Sequence, residues 1–216
     1  MTYRDLRKLV AQGESEFLEF KRKVAHPEKI VRELVAFANT NGGQLLIGVS
    51  DNGDIPGVKF PEDEIYALNK SIEELCKPAF EYNIEEIELS EKATAIVYHI
   101  PQSKRRPHAV KEDIQSKWGQ VYVRHEDKSV KASREMREII KRKRKNKDIR
   151  FNYGEKEQKL MAYLEEQKSI TLEEFKELAG LNNYMASRTL VLLVLANVLA
   201  IRPTEKGDIY TLKNIS

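Results

Sequence analysis

Residues 28–49 narrow the choice of fold more than any other stretch of the chain. Val31, Leu34, Val35 and Ala38 fall at i, i+3, i+4 and i+7, with Ile30 and Phe37 widening the stripe, which predicts an amphipathic helix over 28–40. Asn41-Gly42-Gly43 ends it, because glycine adopts the left-handed backbone that closes a helix. Leu45-Leu46-Ile47-Gly48-Val49 follows at once, a short apolar run suited to a buried strand. A helix, a tight turn and a buried strand in immediate succession describe a helix packed on a sheet. Asp51-Asn52-Gly53-Asp54 is then a turn signal, and Asn-Gly is typical of tight hairpins.

The surrounding residues extend the same pattern. A short helix is expected over 2–11, with Thr2 as its cap and Leu6, Leu9 and Val10 on one side. Alternation predicts a strand over 17–21, with Phe17, Glu19 and Lys21 on one face and Leu18 and Phe20 on the other. A helix fits 61–76, strands fit 82–89, 93–100 and 120–125, and a helix fits 132–145 with Met136, Ile139 and Ile140 as its apolar anchors. The expected fold class is α+β with a mixed sheet.

Charge divides the chain unevenly. Residues 1–130 carry 19 Lys/Arg against 22 Asp/Glu, residues 131–150 carry 10 against 3, and residues 151–216 carry 8 against 9. The whole excess of the +3 chain therefore sits in KASREMREIIKRKRKNKDIR. Such a run attracts phosphate backbones or anionic surfaces, and its bland reading is a solvated helix end running into a linker. The expected organisation is a domain over 1–140, a basic linker over 141–151 and a small domain over 152–216. No run approaches 18 apolar residues, so no transmembrane helix is expected, and no membrane partner. The N-terminus lacks the apolar stretch of a secretory signal. The one cysteine, Cys76, can form neither an internal disulfide nor a Cys-rich zinc site, so a cytoplasmic protein is expected. Cys76 ends an amphipathic helix and is read as buried filler.

In the C-terminal region, helices are predicted over 155–167, 172–179 and 183–198. Thr171-x-x-Glu174 is a capping box opening the second. Residues 199–212 alternate around a Glu205-Lys206-Gly207-Asp208 turn, a hairpin. Three helices and a hairpin resemble a winged helix-turn-helix. That resemblance places Asn182, Asn183, Tyr184, Ser187 and Arg188 on a recognition helix. The third helix is apolar nearly all round, and its surplus face suits a homodimer interface through this domain, which is compatible with DNA contact.

The segments GESEFLEFKRKV, IVRELVAFANTNGGQLLIGVSDNGDIPGV, VYHIPQSKRRPHAV and GQVYVRHEDKSV resemble, in that order, the Schlafen/Alba-like DNA-binding domain family over roughly residues 10–130. Much of the motif reads as scaffold. Glu14, Glu19, Lys21, Asn39, Asn41 and Asp51 are the polar residues that packing explains least. Some animal Schlafens similar in this region are RNA endonucleases, and their carboxylate triad matches Glu14, Glu19 and Asp51. By that resemblance, converging carboxylates would hold Mg²⁺ or Mn²⁺ and activate a water, with Lys21 offsetting phosphate charge. Glu14 and Glu19 are five residues apart, so one straight strand would point them to opposite faces. The zinc-binding segment of animal Schlafens has no counterpart ligands here. No G-x-x-x-x-G-K-[ST] and no G-x-G-x-x-G after a strand occurs, so ATP hydrolysis is not expected.

The primary expectation is a nucleic-acid-binding protein without a cofactor, DNA before RNA, acting as a bacterial transcriptional regulator. Its candidate contacts are Lys21, Arg22, Lys23, Arg105, Arg106, Arg124 and Lys128 in the first domain. Lys141, Arg142, Lys143, Arg144 and Lys145 follow in the basic segment, then Asn183, Ser187 and Arg188 beyond it. A metal-dependent endoribonuclease using Glu14, Glu19 and Asp51 is the alternative.

Overall fold

The computed structural model describes residues 1–144, 153–204 and 206–213. The chain divides into two compact units, Met1–Val130 and Lys131–Ser216.

The first unit runs α1 (Tyr3–Val10), β1 (Leu18–Lys21), α2 (Pro27–Asn39), β2 (Gly43–Ile47), α3 (Pro61–Leu75), β3 (Cys76–Lys77), β4 (Asn83–Ser90) and β5 (Ala93–Ile100). It closes with β6 (Ala109–Lys111), β7 (Gly119–Gln120), β8 (Tyr122–His125) and β9 (Lys128–Lys131), whose last residue crosses into the second unit. The central sheet has the order β1-β2-β5-β4. β1 and β2 are parallel, joined through α2, and the other pairs are antiparallel. This is the mixed sheet of an α+β fold.

Strand alternation gives the sheet a core on each side. Leu45, Ile47, Ile96, Tyr98 and Ile100 pack with α2 and α3. Leu18, Phe20, Leu46, Ala95 and Val97 pack with Leu6 and Val10 of α1. Gly43 is fixed by sterics, since a Cβ there would stand 2.3 Å from the buried Phe37 ring. The Asp51–Asp54 turn forms without a hairpin. The chain leaves it as coil, and Val58 makes only a single bridge to Thr94. The strand expected over 120–125 is two short strands, and β6, which the alternation did not announce, pairs between β3 and β7.

The second unit contains α4 (Arg134–Arg144), α5 (Glu155–Gln167), β10 (Ser169–Ile170), α6 (Leu172–Ala179), α7 (Asn183–Leu195), β11 (Leu199–Thr204) and β12 (Gly207–Leu212). Its strands are ordered β10-β12-β11. The Thr171–Glu174 capping box forms, and Gly180 closes α6 in the left-handed conformation. The chain bends by 113° between α6 and α7. Among the described residues no single helix is long and apolar enough to cross a membrane.

The boundary expected near residue 140 falls instead between Val130 and Lys131. The reason is packing. Ile139 of α4 joins the core formed by Leu160, Phe175, Leu190 and Tyr210. The N-terminal end of α4 is tied down by Ser133, whose hydroxyl donates to Asp208 Oδ2 at 2.5 Å, and by Glu135, which accepts from Ser187 Oγ at 2.5 Å. The apolar surplus of α7 is consequently covered within this unit, by α4, α6 and β11.

Candidate nucleic-acid interface

The polar residues of the first unit sort into two groups, those that hold the fold and those that face outward. Arg124 belongs wholly to the first. It arrives on β8, its side chain is 1% exposed, and it lies against the Phe37 ring with the guanidinium carbon 4.9 Å from the centroid. Nη2 donates to Glu19 Oε2 at 2.7 Å and to the Ser15 carbonyl at 3.0 Å, while Nη1 donates to Glu33 Oε2 at 2.9 Å and Ser129 Oγ at 3.2 Å. Every face of this guanidinium is taken, so Arg124 cannot track phosphate in a surface groove as the sequence suggested.

Glu14, Glu19 and Asp51, the candidates of the endoribonuclease alternative, are not gathered into one cluster. Among the described residues no group of three His, Cys, Asp or Glu side chains is placed to hold an ion. The backbone explains why. Alternation along β1 turns Glu19 toward α2, where Arg124 and Lys21 both pair with it. Glu14 lies in the loop before β1 and its Oε1 accepts from Phe20 N at 2.9 Å. Asp51 is an exposed turn residue in an open cleft of about 630 Å³, which Arg22, Asn52 and Asp54 also line. Each carboxylate has its own local surroundings.

Asn39 and Asn41 are scaffold too. Asn39 is buried at the end of α2, donates to the carbonyls of His108 (2.9 Å) and Tyr122 (2.8 Å), and accepts from His108 N (2.7 Å). It thereby ties α2 to β8 and to the segment leading into β6. Asn41 donates to Glu16 at 2.7 Å. Glu33, to which no sequence motif points, completes the Arg124 cluster. Burial and the neighbouring Glu19 push its carboxyl above the usual range, against the opposing pull of Ser129, Arg124 and Lys21. Cys76 is buried, and burial pushes its thiol up to about 12, so it is no thiolate at neutral pH.

The remaining candidate contacts of this unit differ in exposure. Arg22, Lys23, Arg105 and Lys128 are exposed, whereas Lys21 is half-buried against Glu19. Arg106 is also half-buried, donates to the Ser103 carbonyl at 2.9 Å, and its pKa is lowered by burial.

The second unit carries a stronger pattern. On α4, Glu135, Met136, Ile139 and Ile140 point inward, while Arg134, Arg137, Lys141, Lys143 and Arg144 are exposed. The helix expected over 132–145 forms as Arg134–Arg144 with a basic outer stripe, so residues 141–144, read as the start of the linker, belong to its last turn. Arg142 is half-buried and its Nε pairs with Glu138 at 2.7 Å. Lys145 lies outside the described residues. At the start of α7, Asn182 caps the helix by accepting from Met185 N at 2.9 Å, and Asn183, Tyr184 and Arg188 are exposed. Ser187 instead turns toward Glu135, so the expectation that it reads bases gives way to a packing role.

Residues 14–133 match the family model described as Schlafen, AlbA_2. No curated protein matches the chain. Among solved structures, one match is the N-terminal domain of a putative ATP-dependent DNA helicase RecG-related protein from Nitrosomonas europaea. It is 18% identical over 47% of this chain and 74% of that one, with a TM-score of 0.36. Another is the DIP2311 protein from Corynebacterium diphtheriae, 16% identical over 61% of this chain and 32% of that one, with a TM-score of 0.39. The family match spans more than half of the 216 residues, and the segments it covers are those whose scaffold is described above: the chain belongs to the Schlafen AlbA_2 family.

Proposed function

We propose that this chain is a cytoplasmic nucleic-acid-binding protein that engages DNA in preference to RNA and regulates transcription. The observation that carries the reading is α4. Its apolar side is anchored in the second unit, and its outer side presents Arg134, Arg137, Lys141, Lys143 and Arg144. A rigid basic stripe neutralises phosphates without first paying the ordering cost of a flexible tail. The AlbA_2 family of the first unit supports the same class of partner.

The second unit is read as a winged helix-turn-helix. In support, α6 and α7 are joined by three residues that include Gly180, and their 113° bend lies in the range of about 90–120° typical of that motif. On this reading Asn183, Tyr184 and Arg188 approach base edges, α4 holds backbone, and β11–β12 is the wing. A homodimer would supply the two half-sites such modules use.

The test is fluorescence anisotropy of the full chain with duplex DNA and with structured RNA across a salt series. A steep fall of log K with log salt on duplex is expected, with weaker binding to RNA. Binding indifferent to salt would overturn the reading.

A further inference from the structure

The chain has one tryptophan, and it has no packing role. Trp118 is 80% exposed, the most exposed of the large hydrophobic residues described. It sits at the end of the loop that joins β6 to β7, and Ile114 on the same loop is 61% exposed. The loop is held in a definite shape. Asp113 Oδ1 accepts from Ser116 N at 2.7 Å and from Ser116 Oγ at 3.0 Å, and Lys111 Nζ reaches the Ile114 carbonyl at 3.4 Å. The residue after the tryptophan is Gly119, where a Cβ would stand 2.9 Å from the Val110 carbonyl oxygen. The two strands therefore close tightly beneath the ring and hold its backbone at the loop's edge.

The stretch of chain that leads to the ring is cationic, and Lys117 stands beside it. Residues 104–118 hold five Lys/Arg against two Asp/Glu, and one of those acids, Asp113, is turned onto Ser116. Lys104 and Arg105 are exposed just ahead of β6, and the Lys117 ammonium lies 5.8 Å from the Trp118 centroid. A large flat ring in water, on a held loop among cations, has the parts of a stacking platform. Bases offer their faces to such a ring only where they are unpaired, because within a duplex both faces are covered by neighbouring pairs.

We propose that the β6–β7 loop is a binding site for single-stranded nucleic acid, in which Trp118 stacks on an unpaired base while Lys104, Lys111 and Lys117 hold the flanking phosphates. The inference rests on the nucleic-acid-binding reading above and adds a second, duplex-independent mode carried by the first unit. DNA and RNA strands share the chemistry that this site reads, and the experiment separates them.

The experiment uses the full chain with fluorescein-labelled oligo(dT), oligo(U) and a duplex, each about 16 nucleotides or pairs long, at the upper end of single-strand site sizes. Anisotropy gives affinity, and the lone tryptophan's emission reports stacking directly. Both single strands are expected to quench that emission, and the stronger identifies the preferred sugar. Trp118→Ala should weaken single-strand binding by about 5- to 150-fold, the range for removing one base stack, leave duplex affinity unchanged, and be rescued largely by Trp118→Phe. Because the ring is exposed, the variants should fold as the parent does. Duplex binding with unmoved emission, and Trp118→Ala binding single strands as the parent does, would overturn this site and leave the broader reading standing. Binding to none of the three would overturn both. Emission that shifts with protein concentration alone would mark the loop as a contact between copies of the chain and overturn the site.

Discussion

Arg124 Nη2 stands 2.7 Å from Glu19 Oε2, although the two residues lie 105 positions apart in the chain. The pair joins the first strand of the sheet to the last hairpin of the same unit. Glu33 from α2 shares the guanidinium, and Ser129 from β9 both accepts from Arg124 and donates to Glu33. A cation buried this deeply is tolerated only because each of its donors has an acceptor.

Removing that cation should be strongly destabilising. Arg124→Met keeps an apolar stem against Phe37 but takes the buried guanidinium from Glu19 and Glu33, leaving Lys21 as the cation paired with Glu19. We expect a loss of about 3–5 kcal/mol in urea unfolding, the cost of breaking a buried pair from one side. Glu19→Gln combined with Arg124→Met should cost less than the two single effects added together. Strict additivity would mean that the pair is not coupled.

Glu33 gives this cluster a pH dependence of definite sign. Its folded-state pKa lies above the ordinary value of 4.5, so the folded form binds the proton more readily than the unfolded chain does. That contribution is fully present below 4.5 and is lost as pH rises through the raised value. The stability of the parent relative to Glu33→Gln should therefore decline from mildly acidic toward neutral pH. Urea midpoints of both proteins across that window check it, and a constant difference would refute the shift.

Asn39 makes a third prediction. Asn39→Ala strands three backbone groups, the N–H and carbonyl of His108 and the carbonyl of Tyr122. A loss of about 3 kcal/mol is expected by thermal or chemical unfolding. Asn39→Asp should not restore it, since a carboxylate can accept from His108 N but cannot donate to either carbonyl.

On α4 the outward charges and the inward bonds should separate cleanly. Arg137→Gln with Lys141→Gln should leave the melting temperature nearly unchanged and reduce the slope of log K against log salt by about 0.9 for each phosphate no longer neutralised. Ser187→Ala removes the bond to Glu135 and should cost the second unit about 1 kcal/mol while leaving that slope alone.

Local periodicity carries much of this fold. The apolar stripe of α2, the buried run of β2 and the alternation of β4 and β5 can be read directly, because each element's burial is written in residues three, four or two positions apart. The helix spans 155–167 and 172–179 agree with α5 and α6 residue for residue. The candidate site is less legible. Arg124 looks like any strand-end cation until Glu19 and Ser15 are brought to it from more than a hundred residues away. Glu33 hides on α2 because a glutamate on a helix is ordinary by composition. The apolar anchors of α4 are plain in the sequence, but periodicity states which face is buried and not against what, so it places the helix in the wrong unit. Trp118 gives no periodic signal at all, since it lies in a loop. Its exposure appears only once β6 and β7 are seen to pair around Gly119.

The Glu19–Arg124 pair also orders events in time. A ribosome adding about 5–20 residues per second needs roughly 5–20 seconds to travel from Glu19 to Arg124. Throughout that interval the two acidic side chains of the pocket have Lys21 beside them but not the buried guanidinium that joins them. A product released before residue 124 lacks the guanidinium that closes the pocket against Glu19, Glu33 and the Ser15 carbonyl. The arginine is thus the last-made member of a cluster whose other charges come from the first 33 residues.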